Sequence, residues 1–216
     1  MNVSFVGCGG IAAKYWSVYR DLDFVRVVSC VSGSISSAER GAAELPGAVA
    51  TTDFAAALAP EVDTVILNTP NALHREQAIA AIEAGKHVLL QKPVAANLAD
   101  AEAVAAAAEQ SSRTVGLYMS YFDQPLVHDL RRIAEEGWFG DLVHFYARLM
   151  HRGGIEWSAE AAAGKPNWRG SLAQTGGGCF LMLGVHFIHT IQWISRSKIA
   201  SVTGLAQNLH SPGVAG

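Results

Sequence analysis

Six residues near the start of the chain, Gly7-Cys8-Gly9-Gly10-Ile11-Ala12, match the spacing G-x-G-x-x-G/A. Each small residue has a task in that pattern. Glycine at 7 lets the chain turn tightly off a strand, glycine at 9 lets backbone approach a pyrophosphate, and alanine at 12 keeps the following helix close to the strand. The first N–H groups of that helix then face the anion. Gly7, Gly9, Gly10, Ile11 and Ala12 are therefore candidate dinucleotide contacts, the alternative being a tight turn without ligand. Where the second β-branched run ends, an acid would hold the ribose 2′-hydroxyl of NAD. The sequence there is Val31-Ser32-Gly33-Ser34, without an acid, and Arg40 follows about two turns into the next helical segment. Ser32, Gly33, Ser34 and Arg40 suit a 2′-phosphate, since hydrogen bonds to a charged group contribute about 1.5–3 kcal/mol each. NADP is thus expected in preference to NAD. Otherwise Ser36 and Ser37 cap the helix and Arg40 is a solvated charge.

These residues need a scaffold, and the first half of the sequence supplies two alternating periods. Short β-branched runs predict strands over 2–6, 25–31, 64–68, 87–90 and 114–119. Alanine-rich stretches between them predict helices over 11–20, 37–45, 73–84 and 98–109, with Asn97 as an N-cap and Gly85 just past a helix end. Strands that are apolar throughout suit a sheet buried on both faces, so the fold class is α/β with a doubly wound parallel sheet over 1–121. Beyond it, 122–216 predicts a helix over 125–136 ending at Gly137, an alternating strand over 142–150, a Gly/Pro/Trp-rich loop over 153–178, an apolar helix over 180–194 and a strand-like run over 199–209. Long strands with one polar face predict a second, α+β domain with a mixed or antiparallel sheet.

Composition narrows the classes. The chain has 216 residues, half of them hydrophobic, 16% charged, with a net charge of −3. That composition supports a sizeable core and supplies no basic excess for a phosphate backbone, so no nucleic-acid partner is expected. Cys8, Cys30 and Cys179 are too few and too scattered for a disulfide scaffold. Neither an export signal nor an uncharged apolar run of 18 residues is visible, so a cytoplasmic protein without a membrane partner is expected.

A further set of residues identifies a family. Asn68-Thr69-Pro70-Asn71-Ala72-Leu73-His74, Ala84-Gly85-Lys86-His87-Val88 and Gln91-Lys92-Pro93 resemble the T-P-x-x-x-H, A-G-K-H-V and E-K-P signature of the glucose–fructose oxidoreductase / inositol dehydrogenase / MocA (Gfo/Idh/MocA) oxidoreductases. Trp168-Arg169, Gly176-Gly177-Gly178 and Gly184-Val185-His186 are similar to the W-R, G-G-G and D-x-G-x-H segment of the same family. The resemblance covers the whole chain and implies a Rossmann domain followed by a substrate and oligomerisation domain. It implies cofactor contacts at Thr69, Pro70, Asn71, His74, Gln91, Lys92, Trp168 and Arg169, and catalytic roles for Lys92 and His186. Independently, Thr69–His74 and Gln91–Pro93 follow strand ends, where open α/β sheets bind ligands. A positive nicotinamide would lower the pKa of a lysine beside it, the direction that makes a proton carrier. Without the resemblance, His186 on an apolar helix would be read as a core histidine. No acid or cysteine accompanies His186 and His189 at metal-ligand spacing, so no metal is expected.

Two departures from the family pattern matter most. Gln91 replaces the glutamate of E-K-P, and Met182 replaces the aspartate four residues before the histidine; Tyr121 also stands where many relatives have arginine. The resemblance implies NAD(P)-dependent hydride exchange with a secondary alcohol of a sugar or polyol. The departures keep open a non-catalytic dinucleotide-binding protein, or a scaffold that dimerises through its second-domain sheet. Relatives run about half as long again, so the second domain is expected to be incomplete, and to finish its sheet in a longer chain or in a homo-oligomer.

Overall fold

The computed structural model describes residues 1–150, 163 and 167–205. It divides into two compact units, Met1–Tyr118 and Met119–Gly216.

The first unit is built on six parallel strands: β1 (Asn2–Val6), β2 (Arg26–Val31), β3 (Val49–Thr51), β4 (Thr64–Leu67), β5 (His87–Gln91) and β6 (Val115–Tyr118). Their spatial order is β3-β2-β1-β4-β5-β6. Succession therefore reverses between β1 and β4, which opens a crevice at their carboxyl ends. The central strands are largely apolar because both faces are covered: Val6, Val65, Leu67, Val88 and Leu90 pack into one core, and Val3, Phe5, Cys30 and Ile66 into another, while buried Ser29 donates to Ser4 at 2.7 Å. Edge strand β3 escapes the sequence reading because three residues, Val-Ala-Thr, carry too little period to register.

The helices are α1 (Trp16–Arg20), α2 (Ile35–Glu44), α3 (Asn71–Glu83) and α4 (Leu98–Gln110). Asn97 caps α4, its side chain accepting from the Asp100 N–H at 2.9 Å. Gly85 takes the left-handed φ of +71° just past α3. The single helix expected over 11–20 is instead a 3-10 turn, Ala12–Lys14, leading into the five-residue α1. A helix this short has little macrodipole, so any attraction for a pyrophosphate rests on individual N–H groups and space.

The second unit holds α5 (Pro125–Glu135), a 3-10 turn at Trp168–Gly170, the short α6 (Leu172–Thr175), a π-helical segment Phe180–Gly184 and α7 (Val185–Ser195). The expected sheet is not among the described residues: 142–150 and 199–205 form no strand, and 206–209 lie outside the description. An alternating segment becomes a strand only when a neighbour takes its N–H and C=O groups. The side chains meant for a buried face, Val143 at 92% and Leu205 at 85% exposure, stay uncovered. The helical stretch Leu172–Ser195 has length and hydropathy (1.3) sufficient to cross a membrane. It is interrupted at Gly176, whose φ of +81° ends α6.

Candidate functional site

Four loops of the first unit leave the carboxyl ends of adjacent strands β2, β1, β4 and β5, bringing Ser32, Gly7, Thr69 and Lys92 to one edge of the sheet. The loops are tied together at close range. Gly7 N–H donates to the Val31 carbonyl at 2.8 Å, and Asn68 N–H to the Val6 carbonyl at 2.7 Å. Gly7 has φ +90°, and a Cβ there would stand 2.6 Å from the Asn68 carbonyl carbon and 2.8 Å from the Thr69 nitrogen. Glycine at 7 therefore does more than turn the chain; it admits the loop after β4. A Cβ on Gly9, Gly10 or Gly33 would meet no atom within 4 Å. Open space over three glycines beside a switch point fits a dinucleotide pyrophosphate and adenosine ribose. Beneath the loop, Cys8 and Cys30 are buried together around Gly41, their sulfurs 3.2 and 3.1 Å from where its Cβ would be. The Cys8 thiol donates to the Val31 carbonyl at 3.7 Å, and its closeness to Cys30 lowers the Cys8 pKa and raises that of Cys30.

The segment after β2 forms a continuous polar chain. Arg40 donates to the Ser37 hydroxyl at 3.0 Å, and Ser34 donates to the same hydroxyl at 3.0 Å. Ser34 occupies the N-cap of α2, yet no side chain caps the backbone there, and the first turn carries no acid. Arg40 makes no ion pair with any described carboxylate. Its cation faces hydroxyls rather than a counter-charge.

The family-implied residues divide by burial. Thr69 donates from its hydroxyl to Gln77 at 2.6 Å, Pro70 is the N-cap of α3, and Asn71 is buried. His74 is fully buried, with Nδ1 2.8 Å from the Pro93 carbonyl and Nε2 2.9 Å from the Thr69 carbonyl. His74, a family-implied cofactor contact, stands between the loops after β4 and β5. Both partners only accept, and a neutral imidazole has one N–H, so only the imidazolium donates to both. Burial opposes that charge and prevails over the Pro93, Thr69 and Val94 carbonyls, leaving the His74 pKa below 6.5.

That direction sets a pH dependence. As pH falls below about 6.5, the unfolded chain takes the proton at His74 before the folded one does, so stability present above 6.5 is lost on acidification. Thermal melts between pH 7.5 and 5.5 should show this loss, with a shallower slope in His74→Asn. That variant should also be less stable at pH 7.5 by roughly 1–3 kcal/mol. Equal slopes would exclude His74 as the titrating group.

At the end of β5, Gln91 is buried; its Oε1 accepts from the Lys92 N–H at 3.1 Å, while its Nε2 has no partner among the described residues. Both amide atoms of buried Asn68 likewise have no partner among the described residues. The Asn68 carboxamide and the Gln91 Nε2, at the ends of neighbouring strands β4 and β5, add polar capacity at this edge, and sequence spacing gave no signal for Asn68. Lys92, next in the chain after Gln91, is half-buried.

The second unit holds the remaining residues. Arg169 lies over the Trp168 ring, 4.5 Å from its centroid, and its N–H donates to Asn167 at 3.0 Å. His186 is buried at the start of α7, stacked on Tyr121 with ring centroids 4.4 Å apart. Met182 is buried about one turn earlier, inside the π-helical segment. No group of three or more His, Cys, Asp or Glu among the described residues could hold a metal ion.

Comparison with known proteins places this geometry. Residues 1–119 match the model of the GFO/IDH/MocA oxidoreductase family with its NAD-binding Rossmann fold, and residues 127–215 match a GFO/IDH/MocA C-terminal domain. The chain belongs to the Gfo/Idh/MocA oxidoreductase family. It is 32% identical to the 1,5-anhydro-D-fructose reductase of Ensifer adhaerens over 192 residues, 87% of this chain and 54% of that protein. It is 41% identical to the 4-carboxy-2-hydroxymuconate-6-semialdehyde dehydrogenase of Sphingobium sp. over 105 residues, 48% of this chain and 33% of that protein. A solved NAD binding oxidoreductase from Klebsiella pneumoniae superposes with a TM-score of 0.73 at 28% identity, covering 90% of this chain and 53% of that one. The chain thus spans between a third and about half the length of these relatives.

Proposed function

We propose that the chain forms the dinucleotide-binding part, and some of the substrate part, of an NADP-dependent oxidoreductase acting on a secondary alcohol of a sugar or polyol. The reading rests chiefly on one juxtaposition: the Gly7 turn pressed against Asn68–Thr69, with open space over Gly9, Gly10 and Gly33 on the same sheet edge as Lys92. Similarity to a sugar reductase supports the substrate class. The nicotinamide, when bound, supplies the hydride acceptor or donor. Gly9 and Gly10 would let backbone approach the pyrophosphate, and Ser34, Ser37 and Arg40 would hold the 2′-phosphate. Lys92 would hold the substrate hydroxyl and exchange its proton, and His186 would serve as a general acid/base. Trp168 and Arg169 would complete the cofactor contacts.

The cofactor preference has its own test. Arg40→Ala should weaken NADPH binding by about 10- to 100-fold, the loss of one charge-assisted contact, and leave NADH binding within about threefold. Fluorescence titration with both nucleotides measures this, and an equal effect on the two would reject the 2′-phosphate assignment. A panel of sugars and polyols, followed at the reduced-nicotinamide band, tests the reaction. A second reading is favoured by Gln91 and Met182, neutral where the family pattern has acids: a protein that binds the dinucleotide without turning over substrate. NADPH binding without turnover of any compound in the panel would support it.

A further inference from the structure

The imidazole of His186 is held by an aromatic contact that the family motif does not contain. Tyr121, just after the first unit ends, stacks on it at 4.4 Å with 17° between the rings. Phe187 meets Tyr121 edge-on at 5.7 Å and 88°, so the phenol ring is fixed from a second direction. Tyr121 is 39% exposed and His186 only 4%, which makes the phenol a cover over one imidazole face. About one turn before His186, the helix presents Met182, whose thioether is a weak acceptor and carries no charge. It cannot orient an imidazole by charge as a carboxylate would.

We propose that Tyr121 is a positioning residue for His186, fixing the plane of its ring by stacking. The proposal rests on the reading of His186 as an acid/base group only for its catalytic consequence; the ring geometry stands apart from that reading. An offset stack restricts rotation about the Cβ–Cγ bond, because turning the imidazole out of plane would lose face contact with Tyr121. A phenol face accommodates neutral imidazole and imidazolium alike, so the ring stays held whether or not it carries a second proton. The phenol hydroxyl is not required.

Two readouts on the same variants test this. The Cε1–H proton of His186, assigned by its disappearance in His186→Gln, should resonate upfield of its unstructured position in wild type and Tyr121→Phe. It should return toward that position in Tyr121→Leu. In turnover, Tyr121→Leu should lower kcat by about 3- to 10-fold with NADPH affinity unchanged, while Tyr121→Phe retains wild-type kcat. An unshifted His186 signal in wild type, or one unaltered in Tyr121→Leu, overturns the proposal. A fall in kcat shared by Phe and Leu also overturns it, since the hydroxyl would then be the active feature. Wild-type protein that turns over no substrate refutes the enzymatic reading instead, and the proton shift still decides the positioning role.

Discussion

Gly7→Ala is expected to lower the stability of the first unit by roughly 3 kcal/mol or more, and with it to abolish dinucleotide binding. Two costs add. At φ +90° an L-residue sits in a backbone region that costs it about 1–2 kcal/mol. The new methyl would also stand 2.6, 2.7 and 2.8 Å from the Asn68 carbonyl carbon, its oxygen and the Thr69 nitrogen. All three are backbone atoms at the end of a central strand, so no side chain can swing aside, and overpacking of this kind costs roughly 1–3 kcal/mol. Thermal melting of the variant should show a midpoint lower by roughly 10 °C. Gly9→Ala is the matched control. Its methyl meets nothing within 4 Å, so stability should change by less than about 0.5 kcal/mol. NADPH affinity should nevertheless fall by about tenfold or more, because the methyl occupies space assigned to the pyrophosphate. A stable Gly9→Ala protein with undiminished affinity would place the cofactor elsewhere.

Those two glycines also mark how far the sequence could be read. Their spacing announced the turn and the ligand class, because a tight strand-to-helix reversal leaves few residue types to choose from. The close approach to Asn68 was not legible, since it depends on which strand lies beside β1, and β4 is more than fifty residues away in the chain. Buried strands β1, β2, β4 and β5 were readable as apolar runs, whereas β3 was too short to show a period. His74 illustrates a subtler limit of a motif. The motif located it correctly but did not announce that its ring is buried between two backbone carbonyls from separate loops. A motif reports that a residue type is needed, not which partner needs it. In the second unit, alternation over 142–150 gave a strand signal that the described residues leave without a partner. Pairing is a property of two segments, and one sequence window reports only one of them.

Lys92→Ala should lower turnover by about 10²- to 10⁴-fold, the range typical of losing a positioned proton-transfer group, with NADPH affinity within about threefold of wild type. The residue follows β5 directly, and its backbone is fixed by the Gln91 side chain at 3.1 Å and by His74 holding the next carbonyl at 2.8 Å. Such fixation suits a group that must meet one substrate atom, because small displacements are costly in rate. Truncation leaves this backbone framework intact, so the deficit should fall in kcat rather than in folding or cofactor binding. Two roles remain for the ammonium: a proton carrier, or a fixed positive charge that polarises the hydroxyl oxygen. Lys92→Arg separates them. Guanidinium keeps the charge but does not give up its proton near neutral pH. If Lys92 moves the proton, the arginine variant should be as slow as the alanine variant. Recovery of most activity with arginine would instead assign Lys92 a purely electrostatic role and leave proton transfer to another group, His186 first. Turnover that survives both substitutions would remove Lys92 from the chemistry and favour the binding-only reading of Gln91 and Met182.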